Sequence, residues 1–486
     1  MAGGQYFFGD EGRYGRGIQL YLALLHGDGT GVRTQLAQPE HPAFTWIAAG
    51  VTAVQHLVAK AGPFGDWSRG DPSILTIGFA AGVLSLFGSL NILLVHRLAR
   101  ATGAAEDEAL WSAGLMALSN TALYYSRHLL PYDAALAAAL GGLLLGLRAE
   151  NPRRLLVAGF MIGFAYQIYN GYWFLVPVAA TMIACRACPV LPLATRGLAL
   201  CAGVAGGIGL PVAVGATAGG MEYFRIMRAF SQTATQGLFS EGWSLPWAYL
   251  AQSESCTGIA VVVLSATLIC TQLWRGVLIE RRVKLWLGGI AGAYALLILF
   301  STVLEIFVVY GRTAKPFVPL LALVGGWAFS TLLAQRTAMA VLSILTLTVL
   351  AVLNFAGHLE RLFPRDVEIA VLKNYGNPKH TLSVSGSLYF PLDLPVTRPD
   401  LALVNAQVLY PVRGALPCPA GNTLIEIENP LSYPPYQYES YTPAQREFIR
   451  THDIKIRLIR LRDPNSIPND LPAQFRYQNS EHPTGL

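Results

Sequence analysis

Charge is what this chain has least of. Asp, Glu, Lys and Arg make up 13% of its 486 residues, against 53% hydrophobic ones, whereas a soluble domain carries roughly 25% charge. An ordinary soluble protein is thereby excluded, and an integral membrane chain is expected. Cysteine is also scarce. The six present fall mostly in apolar runs, and Cys418 stands alone in a polar tail, so no disulfide framework is implied. Cys185 and Cys188 form a CxxC with no second pair, at the end of an apolar segment; packed thiols are expected there rather than a zinc or redox site. Internal repeats and low-complexity linkers are missing. The opening residues MAGGQYFFGDEG hold no apolar core, so no cleavable signal peptide is read in them. Because that segment reads as outward-facing, a helix ahead of it is expected. The net charge of +6 does not point to nucleic acid; the placing of the basic residues matters more than their sum.

What is present is apolar sequence of membrane length. A hydrocarbon core about 30 Å thick needs about 20 apolar residues per helix. Spans are read near 72–98, 110–123, 129–147, 155–168, 171–184, 198–214, 258–273, 285–309, 316–333 and 338–355, roughly ten in all. The segments 17–25 and 44–59 are too short to span and read as juxtamembrane helices on the outer face. Alternate connections carry Arg97 and Arg100; Arg148, Arg153 and Arg154; Arg186 and Arg196; Arg275, Arg281, Arg282 and Lys284; and Arg336. The positive-inside rule makes that side cytoplasmic. The first outer loop (1–71), the SRHLLPYD turn, a long loop over 216–257 and the tail then lie outside.

From about Glu360 the composition turns polar. TLSVSGSLYF, NTLIEIENP and IKIRLIRL read as strands and TPAQREFIRTHD as a capped helix. The expected fold is thus mainly α: a polytopic transmembrane bundle over 1–357, followed by a small extracytoplasmic α+β domain over 358–486.

Four polar clusters fall on the outer side: Asp10, Glu11, Arg13 and Tyr14; Glu40 and His41; Arg127, His128, Tyr132 and Asp133; and Arg312 with Lys315. Each alone reads as a helix-end anchor or a snorkelling cation. Together they set carboxylates and cations on one face, as transfer of a group from an anionic lipid requires. With a sugar on a polyprenyl phosphate as donor, fixed cations stabilise the leaving phosphate, and an ionised Asp serves the acceptor hydroxyl as base. One carboxylate as base inverts the sugar centre, and a second as nucleophile retains it. The single, inverting displacement is the expectation carried forward. Glu40 and His41 offer donors suited to zinc or manganese, although neighbouring residues rarely both ligate one ion. Tyr124, Tyr125, Tyr166, Tyr169, Tyr172 and Trp173 read as an interfacial aromatic belt. Glu305, costly inside a span unless paired, has Arg312 as its expected partner.

FFGDEGRYGRG followed by PEHPAF resembles the first outer loop of the multi-spanning C-type glycosyltransferases, in the branch of the protein O-mannosyltransferases and lipid A aminoarabinose transferases. YYSRHLLPYDAALAAAL is similar to that family's second outer turn, and GRTAKPFVPLLALVGGWAF to its Arg-Tyr-x-x-Pro-x-x-Pro span. The similarity runs over 5–333 as short, degenerate patterns. It implies Asp10 as general base with Glu11 in support, and Asp133 lining the same cavity. It implies Tyr14, Arg127, Arg312 and Lys315 on the substrate, His41 towards the donor phosphate, and Glu40 where some members have a metal-associated acid. Two departures stand out: His-Pro-Ala at 41–43 replaces the commoner Lys or His-Pro-Pro, and the family's first transmembrane helix has no counterpart. The expected enzyme takes a sugar from a polyprenyl-phosphate carrier to a lipid, glycan or protein acceptor. It works among membrane lipids, on the outer face of a bacterial inner membrane, with a divalent metal as its one cofactor. The competing reading is a transporter or flippase, which should show charges near the membrane midplane or broken helices.

Overall fold

The computed structural model describes residues 12–61, 77–126, 128–185, 191–234, 243–307, 309, 311–334 and 336–359, and strand segments at 378–383, 398–405, 421–428, 455–462 and 477–478. Asp10, Glu11, Arg127 and the helix read over 442–453 lie outside these residues. The chain divides into two units, one with the helices over 13–61 and 78–356 and the other with the sheet, to which Gly12, Ile77 and 357–359 are also assigned, and each is described by itself.

The helical unit opens with α1 (Gly12–Leu25), α2 (Gly29–Leu36) and α3 (Pro42–Ala61). The Asp28 carboxylate caps α2 by accepting from the N–H groups of Thr30 (3.1 Å) and Gly31 (3.0 Å). Pro42 begins α3, where a missing N–H costs nothing. The bundle follows: α4 (Ile77–Ala101), α5 (Glu106–Ala117), α6 (Asn120–Ser126), α7 (Tyr132–Leu147), α8 (Pro152–Ile168), α9 (Leu175–Ala184), α10 (Leu193–Gly219), α11 (Met221–Ala234), α12 (Leu245–Trp274), α13 (Arg281–Ile298), α14 (Phe317–Leu333) and α15 (Thr337–Leu359).

Six stretches are long and apolar enough to cross a membrane: Phe79–Ala101, Leu193–Gly219, Leu245–Trp274, Arg281–Val303, Gly311–Leu333 and Thr337–Ala356. This is the architecture of an integral membrane protein. Tyr132–Leu147 and Asn170–Ala184 are apolar but shorter. The stretch read as a span over 110–123 is interrupted at Leu118–Ser119, and the loop expected over 216–257 instead contains α11 and the first turns of α12. Glu305 is exposed in a left-handed turn (φ 54°) after α13 and makes no ion pair with Arg312.

Glycine brings the helices together. α8 and α10 run parallel, so close that a Cβ on Gly159 would lie 2.2 Å from the Leu200 carbonyl oxygen, and one on Gly203 2.1 Å from that of Leu156. Gly163 and Gly207 repeat the contact one turn on, at 2.3 Å from Val204 O and 2.2 Å from Phe160 O. Lipid tails are as apolar as leucine, so such small-residue faces are what allow membrane helices to associate by close packing.

α12 breaks at Ser255 (φ 50°, ψ −138°). Beside the break the buried Glu254 carboxylate accepts from Ser119 Oγ (2.7 Å), Asn120 N (3.0 Å) and Thr121 N (2.9 Å). It thereby satisfies the first N–H groups of α6, which would otherwise be stranded.

The second unit contains a five-stranded sheet, in the order β3-β4-β2-β1-β5. The strands are β1 (Pro378–Ser383), β2 (Arg398–Asn405), β3 (Gly421–Glu428), β4 (Lys455–Leu461) and β5 (Tyr477–Gln478). β1 and β2 are parallel and the other pairs antiparallel. Arg457 and Glu426, directly opposed across β3 and β4, bond at 2.8 Å. Two of the three runs read as strands supply β3 and β4; the first, over 381–390, overlaps β1 only at 381–383, its remainder lies outside the described residues, and β2 joins them.

Candidate functional site at one end of the bundle

The bundle has two unlike ends. At the first, Arg282 bridges Glu108 (2.9 Å) and Glu280 (2.6 Å), Arg281 donates to the Cys185 carbonyl (3.0 Å), and Ser330 donates to Asp107 (2.6 Å). The starts of α5 and α13 therefore meet the ends of α9 and α14, and the basic connections gather there. Burial raises the Glu108 carboxyl to about 7, against the opposing pull of Arg282.

The candidate site is at the other end. Lys315 follows the short 3₁₀ turn Gly311–Ala314 and is fully buried. Its Nζ stands 2.7 Å from Asp133 Oδ1, in the first turn of α7. Asn91 of α4 donates from Nδ2 to the same Oδ1 (3.1 Å) and to the Asp133 carbonyl (3.2 Å). Lys315 Nζ also lies 5.1 Å from the centre of the Tyr125 ring, within cation–π range. Of the three N–H donors of an ammonium, one is directed to Asp133 at 2.7 Å, and Nζ meets no further acceptor among the described residues.

Behind this pair is a wall of tyrosines. Tyr132 packs at 5.1 Å from Tyr125 and 4.6 Å from Tyr169, which is 4.8 Å from Tyr172. Tyr249 donates to the Tyr125 hydroxyl at 2.9 Å. Tyr124, Tyr125, Tyr169 and Tyr172 are buried inside the bundle, so they are not the lipid-facing belt expected from their place at span ends.

The wall connects to a second cluster. His41 packs on Tyr169 at 5.1 Å. Its N–H donates to Asn170 Oδ1 (3.3 Å), and its Nδ1 accepts from the Asn170 N–H (3.1 Å). An imidazole that accepts at Nδ1 carries its proton on Nε2 and is neutral. This reciprocal clasp holds His41 at φ 52°, a conformation costly for a residue with a Cβ. Glu40, next in the chain, is held by two guanidiniums. Arg13 donates to its Oε1 through both Nε (2.9 Å) and Nη2, and Arg16 Nη2 donates to Oε2 at 2.7 Å. Burial works against its charge, but Arg13 and Arg16 prevail and hold the Glu40 carboxyl below its ordinary value.

Of the expected site residues, then, Asp133 and Lys315 touch, and His41 links Glu40 to the tyrosine wall. Tyr14 is buried beside Phe44 (6.4 Å), and burial pushes its hydroxyl up to about 12. Arg312 is half-buried, and its carbonyl accepts from Tyr172 Oη at 3.4 Å. Glu40 and His41 do not fit a divalent cation. Both Glu40 oxygens are engaged by arginines, His41 Nδ1 faces an N–H, and no group of three His, Cys, Asp or Glu ligands occurs among the described residues.

Compared with known proteins, the chain matches no family model, no curated protein and no solved structure at a significant level.

Three contributors escaped the sequence reading. Asn91 is a lone amide in an apolar span, a recognised signal for a polar interhelical contact. Asn170 sits within an aromatic run with nothing local to mark it. Glu254 belongs to the stretch expected as a loop over 216–257, whereas it lies within α12.

Proposed function

We propose that the chain is an inverting glycosyltransferase, moving a sugar from a polyprenyl-phosphate carrier to an acceptor hydroxyl at the Lys315 end of the bundle. The observation that carries this reading is the buried Lys315 ammonium, held beside Asp133 with donor capacity to spare. A phosphate oxygen would meet that capacity, and charge developing on a leaving phosphate is stabilised most where water is excluded. Lys315 and Arg312 would hold the donor phosphate. Asp133, already committed to Lys315, would position it. Asp10, with Glu11 in support, remains the proposed base on the acceptor; Arg127 and Tyr14 remain proposed substrate contacts. By the positive-inside rule the basic end is cytoplasmic, so transfer would occur outside, in a bacterial inner membrane. No step in this reading runs through a metal.

The broken helix α12 and the buried Glu254 favour a second reading, a transporter or flippase. Against it, about 30 Å of helix separates Glu254 from Trp274 at the basic end, at about 1.5 Å per residue. That is a full hydrocarbon thickness, so Glu254 would sit at the far boundary and not at the midplane.

The test is transfer of labelled sugar from polyprenyl phosphate by the full chain in proteoliposomes. Asp10→Asn and Lys315→Met should each abolish transfer while inserting normally. Normal product from both, or flipping of the lipid-linked sugar without transfer, would overturn the proposal.

A further inference from the structure

A cavity of about 1000 Å³ lies between α9 and α13 and reaches the last residues of α4 and α7; Lys315 does not line it. Leu147, Val178, Met182 and Leu296 make its long wall apolar. Glycine gives it depth: a Cβ on Gly288 would meet nothing within 4 Å, and one on Gly292 only Val178 at 3.7 Å. α13 belongs to the candidate span Arg281–Val303, so this wall runs at membrane depth.

One end of the cavity is cationic, lined by Arg281, Arg282 and Lys284. The carboxylates there, Glu108 and Glu280, are both engaged by Arg282 at 2.9 and 2.6 Å. Arg281 and Lys284 are exposed and have no carboxylate partner among the described residues. An apolar groove ending in two uncompensated cations calls for a ligand with one anionic head and a long hydrocarbon chain. A soluble anion would leave the wall wet, whereas a lipid of the adjacent leaflet brings the anionic head and the hydrocarbon chain together.

We propose that this groove binds an anionic glycerophospholipid from the adjacent leaflet. The phosphate would lie between Arg281 and Lys284, and one acyl chain along the Gly288–Gly292 face. Basic pockets between membrane helices take such headgroups. The assignment is independent of the transferase reading, whose donor would sit at the opposite end.

The full chain, released from nanodiscs of equal phosphatidylglycerol and phosphatidylcholine, is examined by native mass spectrometry. One retained phosphatidylglycerol is expected. The double variant Arg281→Ala/Lys284→Ala should hold it about thirtyfold more weakly, roughly fivefold for each cation. Gly288→Leu places a helix-favouring side chain in open space; it should remove the adduct without lowering the melting temperature in phosphatidylcholine alone. Should the double variant aggregate, Gly288→Leu decides. Equal retention of the two lipids, an adduct that survives Gly288→Leu, or displacement by polyprenyl phosphate added to the same discs overturns the assignment.

Discussion

Replacing Lys315 by Met leaves the Asp133 carboxylate buried, with Asn91 Nδ2 at 3.1 Å as its remaining side-chain donor. Removing one partner of a buried ion pair costs about 3–5 kcal/mol, because the other charge stays behind uncompensated. The side chains here are 0% and 5% exposed, so solvent cannot screen the stranded charge and the upper half of that range applies. Asp133→Leu strands the ammonium and should cost a similar amount. The double variant Lys315→Met/Asp133→Leu removes both charges and keeps much of the volume, so it should return to within about 1 kcal/mol of the parent. The coupling in this cycle should then exceed about 3 kcal/mol. The folded fraction after heating in detergent, read by size exclusion, gives the stability arm; sugar transfer from polyprenyl phosphate gives the activity arm. A purely structural pair would let the double variant recover both arms. In the proposed enzyme stability recovers and transfer does not. Single variants within about 0.5 kcal/mol of the parent would refute the geometry itself.

Glu40 and Glu108 predict opposite pH responses. The Glu40 carboxyl is held below its ordinary 4.5 by Arg13 and Arg16. Its contribution of about 2 kcal/mol should be present above pH 4.5 and lost as pH falls through the lower folded value; Glu40→Gln should flatten the acid limb of a melting profile. Glu108, raised from 4.5 to about 7, favours the folded state while protonated. The parent should lose on the order of 3 kcal/mol between pH 4.5 and 7.5 relative to Glu108→Gln, and parallel melting curves for the two proteins across that window would contradict this. Gly203→Leu would drive a side chain into the Leu156 carbonyl, 2.1 Å from the position of its Cβ. It should abolish monodisperse expression, while Gly209→Leu, on the same helix with nothing within 4 Å, should not.

Several features were legible locally. α1 and α3 are readable as short apolar runs, and β3 and β4 as alternating or β-branched ones. The count of ten spans was not legible, because hydropathy measures apolar length and not helix continuity. The 110–123 run is mostly apolar, yet it breaks at its polar Ser119-Asn120-Thr121 step, where Glu254, brought in from a distant part of the chain, caps the next helix. The aromatic residues at span ends failed for a related reason. Composition does not tell whether a ring at that depth faces lipid or the bundle, and Tyr125 and Tyr172 face the bundle.

The sequence alone determined the membrane class and the residue types available for chemistry, since these follow from hydropathy and composition. The tertiary structure decided the partners: Arg13 and Arg16 for Glu40, Lys315 and Asn91 for Asp133. Those choices depend on how closely the helices approach one another. For α8 and α10 that approach is set by glycine faces; which helix meets which face, no window of local sequence records.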